Sequence, residues 1–181
     1  MSDLSRRTVA VLTTTGFEDA EISRVKHAVE EAGGRVLIVA PEDSPVIGKR
    51  GTSYDPDMLS GEADAASFSA LLLPGGVSNA DRLRTDAAAV DLVRGMVAAG
   101  KPVAAICHGA WILTDADAVQ GRTLTSSPSL RTDLVNAGAD WVDEAVHVDA
   151  GEGAGKPLLI TSRTKADLEP FIEAVITHFG A

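Results

Sequence analysis

The sequence predicts an α/β fold, with a mostly parallel central sheet and helices on both faces. Three observations predict it. Short apolar runs of strand length alternate with segments of helical periodicity. The apolar runs are continuous, as expected of strands buried on both faces. Pro and Gly punctuate the junctions, which leaves short turns between elements. A length of 181 residues fits one domain spanning 1–181, with no internal repeat, low-complexity segment or dividing linker. Aromatic residues make up only 4% of a chain that is 45% hydrophobic, so Ala, Val and Leu must build the core.

The elements run in order. Thr8–Thr13 is the first strand. Gly16–Glu21 is a turn feeding a helix with Ile22, Val25, Val29 and Ala32 on one face, and Gly33-Gly34 stops it. Arg35–Ala40 is the second strand, ended by Pro41. Residues 42–67 are rich in loop signals. Ala70–Leu73 is the third strand, closed by the turn Pro74-Gly75-Gly76. Asp86–Ala99 is a helix ended by Gly100. Val103–Ile106 is a strand running into Cys107. Ser129–Ala137 is a short helix, and Val146–Val148 and Leu158–Thr161 are strands joined by a turn over Gly151–Lys156. Thr164–Phe179 is the closing amphipathic helix.

Charge and targeting signals narrow the function classes. The net charge is −10, from 26 acidic and 16 basic residues, and that field repels phosphate backbones, which argues against nucleic-acid binding. No stretch approaches the length of a membrane helix, and Met1–Arg7 is not followed by a signal-peptide core. The expected location is therefore cytoplasmic. The single cysteine excludes an intramolecular disulfide and fits a reducing compartment.

That cysteine is the most informative residue. Cys107 ends an apolar strand and is followed at once by His108-Gly109-Ala110-Trp111-Ile112-Leu113. A strand, a sharp turn at the nucleophile and then a helix is the layout of the G-x-S-x-G elbow, here Ala105-Ile-Cys-His-Gly109. A thiol projecting from such a turn at a helix N-terminus is expected to favour thiolate. Sites in parallel α/β sheets form at the carboxyl ends of strands. Three loops should therefore meet: Thr15–Asp19, Pro74–Asp81 and the elbow. Substrate-binding candidates are Gly75, Gly76 and Gly109, with the N–H groups of Gly76 and His108 as oxyanion donors. Glu18 is the candidate acid: beside a thiolate its carboxyl should rise in pKa and donate a hydrogen bond to sulfur.

Two further signals carry less. Gly151–Lys156 resembles a phosphate loop, but Ala150 and Pro157 break the spacing. His147 and Asp149 share a strand face without further ligands, so no metal or other cofactor is expected.

The chain resembles the PfpI intracellular protease family, within the Parkinson-associated deglycase superfamily. The segments carrying the resemblance are Gly16–Glu21, Leu73–Gly76, Asp81–Arg84, Ala105–Gly109, Thr125-Ser126, Asn136–Asp143, Ile160–Arg163 and Asp167-Leu168. They run in order over nearly the whole chain. The resemblance implies a flavodoxin-like, class I glutamine amidotransferase-like sandwich. It implies Cys107 as nucleophile, His108 as its base and Glu18 as the hydrogen-bonding acid. Asp81 is the best match to a third acid that a neighbouring subunit supplies, although Ala80 stands where many members carry proline. It also implies a homodimer or a hexamer.

Three functional readings are open. The first is a stress-related cysteine hydrolase acting on carbonyl groups of small dicarbonyls, glycated adducts or peptides. The second is a redox sensor in which Cys107 is oxidised to sulfinate. The third is an amidotransferase-like partner domain, with His147-Val148-Asp149 as its downstream pair. The Cys107-His108 adjacency favours the first two.

Overall fold

The computed structural model describes residues 2–151 and 156–181. Its strands are β1 (Thr8–Leu12), β2 (Arg35–Ala40), β3 (Val46–Ile47), β4 (Ser53–Tyr54), β5 (Met58–Leu59), β6 (Ala70–Leu73), β7 (Val103–Ile106), β8 (Thr123–Leu124), β9 (Asp140–Trp141), β10 (Val146–Asp149) and β11 (Leu159–Ser162). Its α-helices are α1 (Asp19–Glu31), α2 (Val77–Leu83), α3 (Ala87–Ala98), α4 (Ile112–Asp115), α5 (Arg131–Asn136) and α6 (Leu168–Phe179).

Seven strands form the central sheet in the order β10-β11-β7-β6-β1-β2-β5. Every pair is parallel except the edge pair β10–β11. The continuous apolar runs have the expected cause: both faces of β1, β6 and β7 are covered. Val9, Val11, Leu72, Ala104 and Ile106 pack with Ile22, Val25 and Val29 of α1 and with Phe171, Val175 and Phe179 of α6. Ala10, Leu12, Leu71, Leu73 and Ala105 pack on the other side with Val93 and Met96 of α3 and Leu134 of α5. Small Ala side chains in β7 let the helices approach closely, which is how a core poor in aromatics reaches density. Among the described residues no helix is long and apolar enough to cross a membrane.

Several sequence signals act where they were read. Gly33 and Gly100 take positive φ just past α1 and α3. Asp86 caps α3 through its side chain, accepting from the Ala89 N–H at 2.7 Å.

Three local expectations need correction. The closing helix begins later, because Lys165–Asp167 is a 3₁₀ turn capped by Thr164, and α6 starts at Leu168. The 42–67 stretch contains the β3–β4 hairpin and the edge strand β5, each too short to leave a periodic pattern. The chain after Cys107 is not a full helix: Cys107–Trp111 is a 3₁₀ turn and α4 is four residues long. Of the turn expected over Gly151–Lys156, residues 152–155 lie outside the described residues.

Candidate active site

The site is built at the carboxyl ends of β1, β6 and β7. Cys107 adopts φ 60, a left-handed conformation that is rare for a side chain with a Cβ. Strain of this kind persists only where the surroundings enforce it. Here the enforcement is steric. Gly109 packs so tightly that a Cβ on it would stand 2.1 Å from the Leu73 carbonyl oxygen. The Cys107 carbonyl also accepts from the Ser127 N–H at 3.1 Å, which ties the elbow to the loop ahead of α5.

The turn after β6 is held in the same way. A Cβ on Gly76, which sits at φ 95, would stand 2.2 Å from the Gly16 carbonyl oxygen. Asn79, fully buried, donates to the carbonyls of Pro74 (3.0 Å) and Gly75 (3.1 Å). Its oxygen accepts from the Thr14 N–H at 2.7 Å. Asn79 thus pins the Pro74–Gly76 turn to the end of β1, a role that no local sequence pattern signals. The backbone amides of Gly76 and His108 favour the Cys107 thiolate and pull its pKa down.

The carboxyl beside the sulfur is that of Glu21, and Glu18 stands elsewhere. A point one Cβ bond from Gly75 lies 2.6 Å from Glu21 Oε2 and 3.2 Å from Cys107 Sγ, so the two groups flank the same spot. Glu21 Oε2 accepts from the Gly75 N–H at 2.6 Å. Its Oε1 is buried with no partner among the described residues. Burial pushes the Glu21 carboxyl up to about 8, so it is protonated at neutral pH. Glu18 instead lies at the rim, with Lys165 Nζ at 3.3 Å and Lys49 Nζ at 3.7 Å. The reason is helical phase. Glu21, Val25 and Val29 lie at i, i+4 and i+8 on the buried stripe of α1, whereas Glu18 precedes the helix as its N-cap residue. A carboxylate in line with an apolar stripe was the signal available in the sequence.

The thiol also differs from expectation. Burial first, and then the charge of an ionised Glu21, push Cys107 up to about 11, against the amides of His108 and Gly76. Protonation of Glu21 removes the second of these, so the two groups are coupled. A short 3₁₀ turn lacks the aligned dipole of a long helix, and a resting thiolate therefore does not follow from the elbow alone.

His108 places Nδ1 3.3 Å from Cys107 Sγ and Nε2 3.0 Å from Ser129 Oγ. Burial and the Lys49 charge hold its pKa below the ordinary histidine value, so the ring is neutral at pH 7. Ser129 was not singled out in the sequence, where a serine ahead of a helix looks like an ordinary cap. Asp81 is exposed on α2, and no hydrogen bond or ion pair within the chain joins it to His108 among the described residues. Of the three candidate glycines, Gly76 has an amide that favours the Cys107 thiolate, Gly75 gives its amide to Glu21, and Gly109 packs beneath Leu73.

The downstream pair of the third reading is engaged away from the elbow. His147 Nδ1 lies 2.9 Å from Glu144 Oε2, and Asp149 accepts from buried Arg122 at 3.0 Å. Both sit on β10, which is separated from β7 by β11.

Residues 7–178 match the DJ-1/PfpI family. The chain belongs to this family. Protein/nucleic acid deglycase 2 of Escherichia coli is 40% identical over 175 residues, covering 96% of this chain and 98% of that protein. Deglycase PH1704 of Pyrococcus horikoshii is 39% identical over 160 residues, covering 88% of this chain and 92% of that one. Among solved structures, a two-domain protein of Anabaena variabilis with DJ-1/ThiJ/PfpI-like and ferritin-like domains superposes with a TM-score of 0.89 at 34% identity. The match covers 97% of this chain and 48% of that one, so this chain spans about half of that protein. The α/β fold expected from the sequence is the fold of the family, and the chain is an enzyme of the family's hydrolase type.

Proposed function

We propose that this chain is a cysteine-dependent hydrolase of carbonyl adducts, of the glyoxalase or deglycase type, with Cys107 as nucleophile. The observation that carries the reading is the left-handed elbow that sets Cys107 Sγ 3.3 Å from the imidazole Nδ1 of His108, with the backbone amides of Gly76 and His108 favouring its thiolate. Nucleophile, base and oxyanion donors are the parts that thiol addition to a carbonyl needs.

The proposed steps are as follows. His108 Nδ1 takes the thiol proton as the S–C bond forms. The carbonyl π pair moves to oxygen, where the two amides stabilise it. Glu21, rather than Glu18, is the proposed acid: its proton on Oε1 removes repulsion from the developing thiolate and supplies a donor to sulfur. His108 returns the thiol proton to the oxygen, which completes the thiohemiacetal and frees Nδ1; with an α-dicarbonyl the neutral ring then carries the hydrogen of the thiohemiacetal carbon, as a proton, to the neighbouring carbon through an enediol. The resulting 2-hydroxy thioester is cleaved by water to a 2-hydroxy acid and free thiol. With an early glycation adduct, an aminocarbinol, the thiol instead displaces the amine: the S–C bond forms at the carbinol carbon, the C–N bond breaks, and His108 gives the thiol proton to the departing nitrogen, which leaves the same thiohemiacetal. Ser129 holds His108 in the tautomer with Nδ1 free to accept.

The deglycase names of the relatives in E. coli and P. horikoshii support this substrate class. A homodimer or hexamer belongs to the same reading: Asp81 and Val77 share the exposed face of α2, where Asp81 would reach a partner's site. A second reading, oxidation of Cys107 to sulfinate, is favoured by Glu21 Oε1, which has no partner among the described residues and would donate to a sulfinate oxygen.

The test is lactate formation from methylglyoxal by fully reduced protein, with Cys107→Ala beside it and the thiol state followed by mass spectrometry. Lactate lost in the variant supports the enzyme. Absence of lactate from the reduced wild type, with Cys107 converting readily to sulfinate under mild peroxide, supports the sensor instead.

A further inference from the structure

The rim of the site carries charge that the addition step does not use. Glu18 stands between two ammonium groups, Lys49 Nζ at 3.7 Å from Oε2 and Lys165 Nζ at 3.3 Å from Oε1. The three residues come from separate segments: the head of α1, the loop after β3, and the turn before α6. The Glu18 side chain is 13% exposed and the lysines 45% and 51%, so the carboxylate is the inner member and the ammonium groups face outward.

Backbone contacts fix the cluster beside the reacting sulfur. The Glu18 N–H donates to the carbonyl of Gly75 at 3.3 Å, and a Cβ on Gly75 would stand 3.2 Å from Cys107 Sγ. The Lys49 N–H donates to the Phe17 carbonyl at 3.0 Å. Buried Asp19 holds the same loop, accepting from the N–H groups of Arg50 and Thr52, each at 2.9 Å. The charge of Lys49 is felt at Cys107, His108 and Glu21, and that of Lys165 at Glu21. Two lysines against the Glu18 carboxylate leave a local excess of positive charge on a chain whose net charge is −10. Local charge at a cleft mouth, backed by low-dielectric protein, concentrates ions of the opposite sign.

We propose that Lys49 and Lys165, held apart by Glu18, form an anion-selecting rim, so that the preferred substrates of Cys107 are small carbonyl compounds bearing a carboxylate. The proposal rests on the reading of Cys107 as a carbonyl nucleophile. Exposed ion pairs are weak, so a lysine exchanges Glu18 for a substrate carboxylate at little cost, while Glu18 stays paired to the other lysine. As Sγ bonds the carbonyl carbon and oxygen turns toward the amides of Gly76 and His108, the remaining substituent is left at the mouth, where the lysines stand. A carboxylate there without the lysines would face Glu18 alone and be repelled.

Alkylation of Cys107 by iodoacetate and by iodoacetamide tests the rim directly. Both reagents transfer a two-carbon group to the same sulfur with loss of iodide, and they differ in carboxylate against carboxamide. The ratio of the two rates cancels the thiolate fraction. The ratio should fall about five- to tenfold in Lys49→Met/Lys165→Met, and added salt should lower it in the wild type but hardly in the variant. Lys49→Arg/Lys165→Arg should keep the wild-type ratio. A ratio unmoved by the double Met substitution overturns the proposal. Should that variant fail to fold, Lys165→Met alone, at the more exposed of the two sites, should lower the ratio by a smaller factor, and no change there also overturns it.

Turnover of phenylglyoxal and 4-carboxyphenylglyoxal separates the two layers of inference. Preference for the carboxylated compound, lost in the Met variant, supports both. Turnover of both compounds with no such preference sinks the rim and leaves the carbonyl reading standing. A shifted alkylation ratio without turnover of either compound keeps anion selection at the rim and removes the carbonyl chemistry.

Discussion

Glu21 and Glu18 are three residues apart and chemically identical, yet they stand in opposite surroundings. Glu21 is enclosed and protonated, and Glu18 is ion-paired at the rim. This difference is measurable in the pH dependence of turnover. The rate should rise as His108 loses its proton, at a pH below the ordinary histidine value, and fall as Glu21 ionises near pH 8. Glu21→Gln cannot ionise and still carries a donor, so its rate should lack the alkaline fall. Glu21→Leu should lose Cys107 reactivity altogether, and equal profiles for the two variants would rule out the hydrogen bond to sulfur. In the proposed mechanism Ser129 acts through His108, 3.0 Å from its Nε2. Ser129→Ala should lower kcat by about fivefold, the worth of one ordinary hydrogen bond, and shift the acid limb, with Ser129→Thr restoring both. An acid limb unchanged in Ser129→Ala would show that Ser129 does not set the ring.

At the scale of elements, the strand ends and the elbow decide the site. Ala70–Leu73 and Val103–Ile106 were legible because an apolar run bounded by Pro, Gly or a polar residue has few other homes. The elbow was legible because Cys107 ends such a run and Gly109 comes two residues later. The backbone beyond it was not legible: the left-handed turn at Cys107 and its 3₁₀ continuation depend on contacts with Leu73 and Ser127, which no local pattern encodes. The same holds for Asn79, whose partners lie on β1 and the Pro74 turn, and for Ser129, which meets His108 only through the fold. Glu21 was legible in principle, from its place on the stripe with Val25 and Val29, but its neighbour in the acidic run matched the same chemistry. Gly109→Ala should be among the most damaging small substitutions, since its Cβ would collide with the Leu73 carbonyl. A loss of about 3 kcal/mol, read by urea unfolding, is expected, and a loss below ~1 kcal/mol would show that the elbow can shift.

For the whole molecule, the buried acid is a cost that the fold carries. Glu21 ionises near the ordinary glutamate value when unfolded and near pH 8 when folded, so between those values the folded state binds more protons. Stability should therefore fall as pH rises from about 4.5 to about 8, by on the order of a few kcal/mol from this one group. Glu21→Gln should remove that slope, and its advantage in Tm over the wild type should widen across the same window. A constant Tm difference would mean that Glu21 is not protonated in the native state. A sheet buried on both faces by α1 and α6 on one side and α3 and α5 on the other can hold such a group in place, because strain at the strand ends is distributed over a large packed core.

The decisive measurement is kcat/KM for conversion of methylglyoxal to lactate, taken side by side for wild type, Cys107→Ala and Glu21→Gln from about pH 5 to 9. A nucleophilic Cys107 beside a protonated Glu21 requires a bell-shaped profile for the wild type with its alkaline fall near pH 8, no turnover for Cys107→Ala, and a profile without the alkaline limb for Glu21→Gln. Turnover that survives in Cys107→Ala would contradict it.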